Sequence, residues 1–227
     1  MLKFENKKML AKMEKLINYM YDFVDGLKSD YALNNVELCI VDIRDNSLSY
    51  DTRNLLSSFN IFTDILPIEN GHFDFNPNKK EVIGKFDFED GVMYDIRAVI
   101  YMSYQAVLEL VIDCLLDFND AKICVTTLLK HEFGHVLVAS KFIGKTTKEY
   151  FEDHNSKIHE YEEFERKIKR RNCSIKNNTK TFMEYNSISG ENDANEMTGV
   201  TKIDLINYCL IRSNEVLSVN DVKKLLK

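Results

Sequence analysis

An H-E-x-x-H element at residues 131–135 carries the residue types that bind and use a metal ion. A helix turns about 100° per residue, so positions i and i+4 share one face. His131 and His135 can therefore bind the same ion while Glu132 projects beside it. The flanking residues 128–130 and 136–139 are uncharged apart from one lysine, as expected for a helix buried in a core. This pattern is typical of zinc hydrolases.

Gly134 lies in the middle of the predicted metal helix. A glycine in a helix interior costs about 1 kcal/mol relative to alanine. Because glycine lacks a Cβ atom, it permits the backbone of a neighbouring element to approach closely. We therefore expect another element to pack against the helix at Gly134.

Two histidines do not complete a catalytic zinc site, which has three protein ligands and one open position for water. Glu191 is one candidate for the third ligand. If residues 191–198 are helical, Glu191 and Asn195 lie on one face of that helix. The carboxylate could then bind the metal while Asn195 steadies a ligand through a hydrogen bond.

The H-E-x-x-H element, followed by residues 191–195 with the pattern E-x-x-A-N, resembles the motif pair of the ImmA/IrrE family within the gluzincin metallopeptidases. The resemblance implies a zincin-like fold, a Zn²⁺ cofactor and the ligand set His131, His135 and Glu191. That family comprises intracellular zinc peptidases, several of which act on repressor proteins. The resemblance therefore implies a regulatory intracellular protease.

A second resemblance leads to a different third ligand. His154, followed by the apolar Ile158, is similar to the loop histidine that completes the three-histidine site of SprT-like proteases. This resemblance implies a zinc protease that acts near nucleic acid. On the sequence, Glu191 and His154 both stay open as the third ligand.

Glu132 is adjacent to a ligand without being one. Zinc lowers the pKa of bound water from about 15.7 towards about 7, so Glu132 is predicted to act as the general base that takes the proton and passes it to the leaving amine. An oxyanion also needs a hydrogen-bond donor, and the candidates are Tyr161, Tyr185, His154 and His159. His159 lies roughly 140° around a helix from His154, so the two do not form a second metal pair, and His159 is predicted at the surface.

The composition restricts the class of partner and the compartment. A net charge of −6 and a pI near 5.5 argue against a broadly nucleic-acid-binding protein. The five cysteines are scattered without a C-x-x-C pair, which indicates reduced thiols. The first 27 residues lack the continuous apolar core of a signal peptide, and charged residues interrupt the most apolar windows. We expect a cytoplasmic protein with a protein or peptide substrate, without a membrane partner or a nucleotide cofactor.

The chain is long enough for one sizeable core, which predicts a single metallopeptidase-like domain over residues 1–227. Hydrophobic periodicity favours an α+β fold, with a small mixed β-sheet packed on the H-E-x-x-H helix. The predicted elements are an N-terminal helix within 1–30, a strand over 36–44, a hairpin of 72–75 with 82–88, a strand over 92–101, and helices over about 104–118 and 121–143, the second with N-cap residues at 119–120. Residues 48–56 have no clear pattern, and His72 is interpreted as a turn residue without chemistry.

The strand over 92–101 immediately precedes the predicted helices. In many zinc proteases this position belongs to the edge strand above the metal. The unpaired N–H and C=O groups of an edge strand can align an extended peptide substrate. The alternative is an ordinary strand in the interior of the sheet.

Residues 145–180 form a predicted charged insertion, acidic at first and basic over 166–180. Glutamates lie three to four places before basic residues, so ion pairs within a solvated helix explain much of the pattern. The alternative is a nucleic-acid or partner-binding appendage, and residues 172–181 are interpreted as a mobile loop. C-terminal helices are predicted within 200–227, with capping residues at Thr201, Asp204, Ser218 and Asp221.

Together these patterns predict a zinc-dependent metallopeptidase that hydrolyses peptide bonds in a protein substrate. The alternatives are the SprT-like protease with a three-histidine site and a non-catalytic module that binds zinc for structure. A closed site with four protein ligands would favour the last of these.

Overall fold

The computed structural model describes residues 2–45, 47–69, 91–114, 117–171, 178–212 and 218–226. The predicted hairpin of 72–75 with 82–88 and His72 lie outside these ranges, as does most of the predicted loop 172–181. The described residues form an α+β architecture. In chain order its elements are α1 (Leu2–Tyr31), β1 (Val36–Val41), α2 (Tyr50–Phe59), β2 (Ile61–Glu69), β3 (Met93–Ser103), α3 (Tyr104–Asp113), α4 (Phe118–Ser140), α5 (Thr147–Arg171), α6 (Thr179–Tyr185), α7 (Ser189–Thr198), α8 (Lys202–Arg212) and α9 (Val219–Leu225).

The three described strands form a mixed sheet in the order β1-β3-β2. β3 runs parallel to β1 and antiparallel to β2. The prediction that residues 92–101 form an edge strand is therefore wrong, because β3 pairs on both sides. From Ile96 to Met102 every second residue of β3 is buried, and the pairing on both sides agrees with the alternative of an interior strand. Within the described sheet β2 is an edge strand, and Pro67 fits there because proline has no N–H to donate to a ladder.

The N-terminal helix follows its predicted amphipathic pattern and extends a little beyond the predicted bounds. The side chains of Met13, Leu16, Met20 and Val24 are almost completely buried. Their spacing of three and four residues places them on one face of α1. That face, together with α3, α4 and the inner face of the sheet, encloses the main apolar core.

The residues without a clear pattern, 48–56, contain the beginning of α2. The side chain of Ser49 accepts a hydrogen bond from the Thr52 N–H and so caps the helix at its N-terminus. The helix ends at Asn60, which has a left-handed backbone with φ of 70°. Local capping residues therefore mark both ends of this short helix.

The H-E-x-x-H element lies in α4, which begins three residues before the predicted start and is capped by Asp117 instead of residues 119–120. Buried residues occur all round this helix, and Phe133 is completely buried. A helix that is buried on all sides leaves its polar residues only each other and neighbouring elements as partners. The polar residues of 131–135 are therefore part of the interior.

α7 crosses α4 at Gly134. A Cβ atom added at this glycine would lie 2.0 Å from the carbonyl oxygen of Ala194 and 2.6 Å from its carbonyl carbon. Ala194 is itself completely buried. The predicted close approach at Gly134 is therefore confirmed, and it brings the helix of Glu191 against the helix of the two histidines.

α5 lies against α6 and α7 through polar contacts and one buried aromatic ring. The predicted pairing within the helix is confirmed for Glu165 and Lys169, whose charged atoms are 2.9 Å apart. Phe164 is buried, so α5 is not wholly solvated. The carboxylate of Glu160 accepts hydrogen bonds from the N–H and the hydroxyl of Ser189, at 2.8 Å and 3.0 Å. The N-cap residue of α7 makes no side-chain hydrogen bond to the helix. Glu160 of α5 supplies such a cap from another helix.

Both predicted capping pairs at the C-terminal helices are confirmed. Thr201 and Asp204 exchange hydrogen bonds between side chain and backbone at the start of α8. Ser218 and Asp221 form the same reciprocal arrangement at the start of α9. Among the described helices, none combines the length and the apolar character needed to cross a membrane.

The contact at Gly134 generates a prediction about stability. Gly134→Ala is expected to lower the free energy of unfolding by about 1–3 kcal/mol, because the new methyl group would displace the backbone of α7. Gly26→Ala is the matched control, since a Cβ atom at that position in α1 meets nothing within 4 Å. The control is expected to gain up to about 1 kcal/mol from helix propensity. Denaturant unfolding of both variants measures the difference, and equal stability of the two would contradict the close approach.

Candidate metal centre

Three side chains from α4 and α7 converge in the interior. Glu191 Oε2 lies 2.8 Å from His131 Nε2 and 3.5 Å from His135 Nε2. The three candidate ligand atoms all lie within 4.8 Å of one another. His131 and Glu191 are buried, and His135 is partly accessible, with a quarter of its side chain exposed. Of the two third-ligand candidates, the structure brings Glu191 to the histidines.

A chain of amide groups fixes the orientation and the proton of His131. Asn186 Nδ2 donates to the backbone carbonyl of Phe182 at 2.9 Å, so Asn186 Oδ1 is left to accept from Asn195 Nδ2 at 3.2 Å. Asn195 Oδ1 then faces His131 Nδ1 at 2.8 Å and can only accept. His131 Nδ1 therefore carries the hydrogen, and in the neutral ring Nε2 presents a lone pair to Glu191. The structure brings Asn195 into contact with His131.

The two oxygens of Glu191 have different surroundings. Oε1 accepts hydrogen bonds from the hydroxyls of Tyr161 and Tyr185, at 2.7 Å and 2.8 Å. Oε2 is buried and has no hydrogen-bond partner. Burial and the negative charge of Glu191 raise the pKa of both tyrosines, so both hydroxyls stay protonated as donors. The carboxylate is thus anchored through one oxygen and directed at the histidines with the other.

In the metal-free protein, the negative charge of Glu191 and the positive charge of the histidines stabilise each other. Burial alone would raise the pKa of Glu191, but the charge of His135 and the contact with His131 hold it well below its usual value. Burial alone would lower the pKa of His131, but the close contact with Glu191 and its negative charge raise it to about 9. The metal-free cluster therefore keeps a proton on His131 at neutral pH, at the position that faces Glu191.

Glu132 lies beside the cluster and is held from the sheet. Its carboxylate Oε2 accepts a hydrogen bond from Thr63 Oγ1 of β2 at 2.7 Å, and its backbone carbonyl is 3.2 Å from the same hydroxyl. Its charge contributes to the raised pKa of His131. Glu132 is buried, yet it is not one of the three converging ligands.

The other predicted histidines occupy different positions. His154 is on α5, where its ring stacks on Tyr150 with centroids 6.4 Å apart. Partial burial and then the charge of His135 lower the pKa of His154. Among the described residues, the convergent group of possible ligands does not include His154. The side chain of His159 is 87% exposed, as predicted for a surface residue. Tyr161 and Tyr185, predicted as oxyanion donors, direct their hydroxyls to Glu191 instead.

The donor set fits a divalent metal ion. Two imidazole nitrogens and one carboxylate oxygen are the ligands of many catalytic zinc sites, with one position left open. Here Glu191 Oε2 and His131 Nε2 lie 2.8 Å apart, and their geometry is not that of a hydrogen bond. Buried lone pairs in this arrangement need a proton or a cation between them. Among the described residues, His131, His135 and Glu191 form a group that can supply this cation site.

Several contributors to the site were not predicted from the sequence. Thr63 and Asn186 had no assigned role, and both act through hydrogen bonds to residues far along the chain. For Thr63, the apolar and β-branched residues of 61–68 indicate a strand that could have been predicted. The sequence has no local signal that would connect Asn186 with Asn195 across the end of α6.

Comparisons of the chain with protein-family models, with curated proteins and with solved structures gave no match in any of the three. The interpretation of the site therefore depends on its geometry and on the chemistry of its donors. The geometry supports a candidate metal centre of two histidines and one glutamate.

The raised pKa of His131 generates a prediction about metal binding. The proton on His131 must leave when a metal binds, because it occupies the nitrogen that faces Glu191. Zinc affinity is therefore expected to rise with pH up to about 9, by up to about tenfold per pH unit. Competition titrations against a chromophoric chelator at several pH values, corrected for the protonation of the chelator, measure this slope.

The metal-free protein offers a second measurement of the same proton. A pKa raised from its unfolded value of about 6.5 stabilises the folded state below that value, and this stabilisation is lost as pH rises through about 9. Thermal unfolding of the metal-free protein should therefore shift to lower temperature over that interval. A zinc affinity independent of pH would contradict the proton on His131.

Proposed function

We propose that this protein is a zinc-dependent peptidase with His131, His135 and Glu191 as metal ligands and Glu132 as the general base. The observation that carries the proposal is the buried convergence of two histidines and one glutamate from α4 and α7. Among the described residues this group has three ligands, which corresponds to a catalytic site with an open position more closely than to a closed structural site.

The residues of the chain divide the proposed reaction among them. A bound zinc ion supplies Lewis acidity, which acidifies water and polarises a carbonyl group. Glu132 accepts the proton from water and delivers it to the leaving amine. Thr63 holds the Glu132 carboxylate through the 2.7 Å hydrogen bond, so the base keeps one orientation. Asn195 holds His131, and burial keeps bulk water from the ligand Glu191.

β2 is the proposed location for an extended peptide substrate. It is an edge strand of the described sheet, and its Thr63 contacts the proposed base. An edge strand offers backbone N–H and C=O groups that can align a peptide by strand addition. We therefore assign the alignment of a peptide substrate to β2 instead of the strand over 92–101. Thr63 of β2 contacts Glu132 beside the candidate metal centre.

Two alternative functions differ from this proposal in their ligands. A three-histidine protease would use His154, whose ring stacks on Tyr150 and lies outside the convergent group. A non-catalytic zinc module would have a fourth protein ligand in place of the open position. The basic segment 166–180 is the proposed location for a nucleic-acid partner in the first alternative. Two of its described cations, Lys167 and Lys169, are paired with Glu184 and Glu165.

Zinc content tests the ligand set. Elemental analysis of the purified wild type is expected to give near-stoichiometric zinc, with loss of zinc in His135→Ala and Glu191→Ala. His154→Ala is the matched control and is expected to keep zinc. Each variant is first shown to be folded by circular dichroism. Loss of zinc in His154→Ala instead of Glu191→Ala would establish the three-histidine site, and a wild type without zinc after zinc is supplied would refute a metallopeptidase.

Peptide hydrolysis has its own test. Glu132→Gln keeps the three ligands, so it is expected to retain zinc while cleavage slows by at least about 100-fold. Zinc-loaded protein is incubated with a proteome-derived peptide library, and new N-termini are identified by mass spectrometry. Glu165→Gln, an exposed substitution of the same kind on α5, is the control and should cleave like the wild type. Stoichiometric zinc without any Glu132-dependent cleavage would contradict the peptidase and favour the non-catalytic module.

A further inference from the structure

Two tyrosines from different helices bind the same oxygen of the candidate ligand Glu191. Tyr161 is on α5 and Tyr185 is at the end of α6, and both hydroxyls donate to Oε1 at 2.7 Å and 2.8 Å. The side chain of Glu191 is only 4% exposed, so these donors replace water at that oxygen. Two hydrogen bonds use both lone pairs of Oε1, so the protein satisfies this oxygen completely.

The local sequence makes room for one of these hydroxyls. Gly190 precedes the ligand, and a Cβ atom at this position would lie 2.6 Å from the Tyr161 hydroxyl oxygen. The ring of Tyr185 packs on the buried Phe164 of α5, with ring centroids 5.6 Å apart. The close approach to Gly190 and the contact with Phe164 thus place the two tyrosines beside Glu191.

The other oxygen of Glu191 has the opposite surroundings. Oε2 has no hydrogen-bond partner, and it faces His131 Nε2 and His135 Nε2 at 2.8 Å and 3.5 Å. A carboxylate with both oxygens free can turn and bind a metal with both of them. Glu191 cannot turn in this way while Tyr161 and Tyr185 hold Oε1. Oε1 is therefore hydrogen-bonded to the protein, and Oε2 is available to bind a metal.

We propose that Tyr161 and Tyr185 are positioning residues that make Glu191 a ligand through one oxygen only. This inference rests on the proposed metal site. A second bound oxygen from Glu191 would raise a metal with three protein ligands and one water from four ligands to five. The two tyrosines thus keep the metal at three protein ligands and one water. Tyr161 lies on α5 and Tyr185 lies on α6. The coordination of the metal therefore depends on how both helices pack against α7.

Cobalt substitution tests the proposal without a substrate. Co²⁺ absorbs visible light strongly when it has four ligands and weakly when it has five or six, so its spectrum reports the coordination number. The proteins compared are the wild type, Tyr161→Phe, Tyr185→Phe and the double variant. Tyr19→Phe is the matched control, because its hydroxyl bonds to Thr126 of α4 at 2.8 Å and does not touch Glu191.

Each single variant is expected to bind cobalt and zinc about tenfold more weakly, because a ligand that loses its supporting hydrogen bond is held less firmly. In the double variant, saturated with cobalt, the visible absorption is expected to weaken as Glu191 brings its second oxygen to the metal. The control should keep the affinity and the spectrum of the wild type. A merely structural role for the tyrosines would lower stability without changing the spectrum of the saturated protein.

The outcomes separate this inference from the proposed function. If the wild type binds neither zinc nor cobalt, the metal site is refuted and the positioning role with it. If the wild type binds cobalt and the saturated double variant shows the same spectrum, the positioning role alone is refuted. If the double variant does not fold, the affinities of the single variants decide, and values equal to the wild type overturn the proposal.

Discussion

The buried convergence of two imidazole nitrogens and one carboxylate oxygen is the constraint on which the surrounding structure depends. Such groups repel or remain unsatisfied unless a proton or a cation lies between them, and burial increases the cost. The approach of α7 to α4 at Gly134 brings Glu191 within reach of the histidines. The amide chain through Asn195 and the two tyrosine hydroxyls then fix the direction of each group. The packing of α7 on α4 and these hydrogen bonds therefore stabilise the same arrangement of the two imidazole nitrogens and the carboxylate oxygen.

The elements around the centre make different contributions. α4 is fixed in the apolar core and holds the two histidines and Glu132 in a rigid helix. β2 reaches the site with a single hydroxyl, from Thr63, and lies at the edge of the described sheet. α5 and α6 contact the site mainly through polar groups, although Phe164 adds one buried ring. Apolar packing thus holds α4, and hydrogen bonds hold α5 and α6 against the site. Contacts that are mainly polar open more readily than a buried apolar core.

Local patterns predicted the parts of the site that lie within one helix. The spacing of His131 and His135, the pair Glu191 and Asn195, and both C-terminal capping pairs depend only on helical geometry. The position of a strand within its sheet depends on pairing across the chain, so the apolar alternation of β3 did not distinguish an interior strand from an edge. The hydrogen bonds of Tyr161 and Tyr185 to Glu191 depend on how three helices pack, which no local spacing records. From the sequence, both tyrosines were predicted as hydrogen-bond donors to an oxyanion, not as partners of Glu191.

The cap that Glu160 provides for α7 has a consequence for the rate at which a metal ion bound at the candidate centre would leave it. Without Glu160 the first turn of α7, which carries Glu191, would have unpaired N–H groups and would fray. Helix opening at that turn is therefore tied to the separation of α5 from α7, a motion of many residues instead of one side chain. Metal release is expected to follow the slow opening of this helical unit. The lifetime of the bound ion would then be determined by the dynamics of α5 as much as by the strength of the bonds to its ligands.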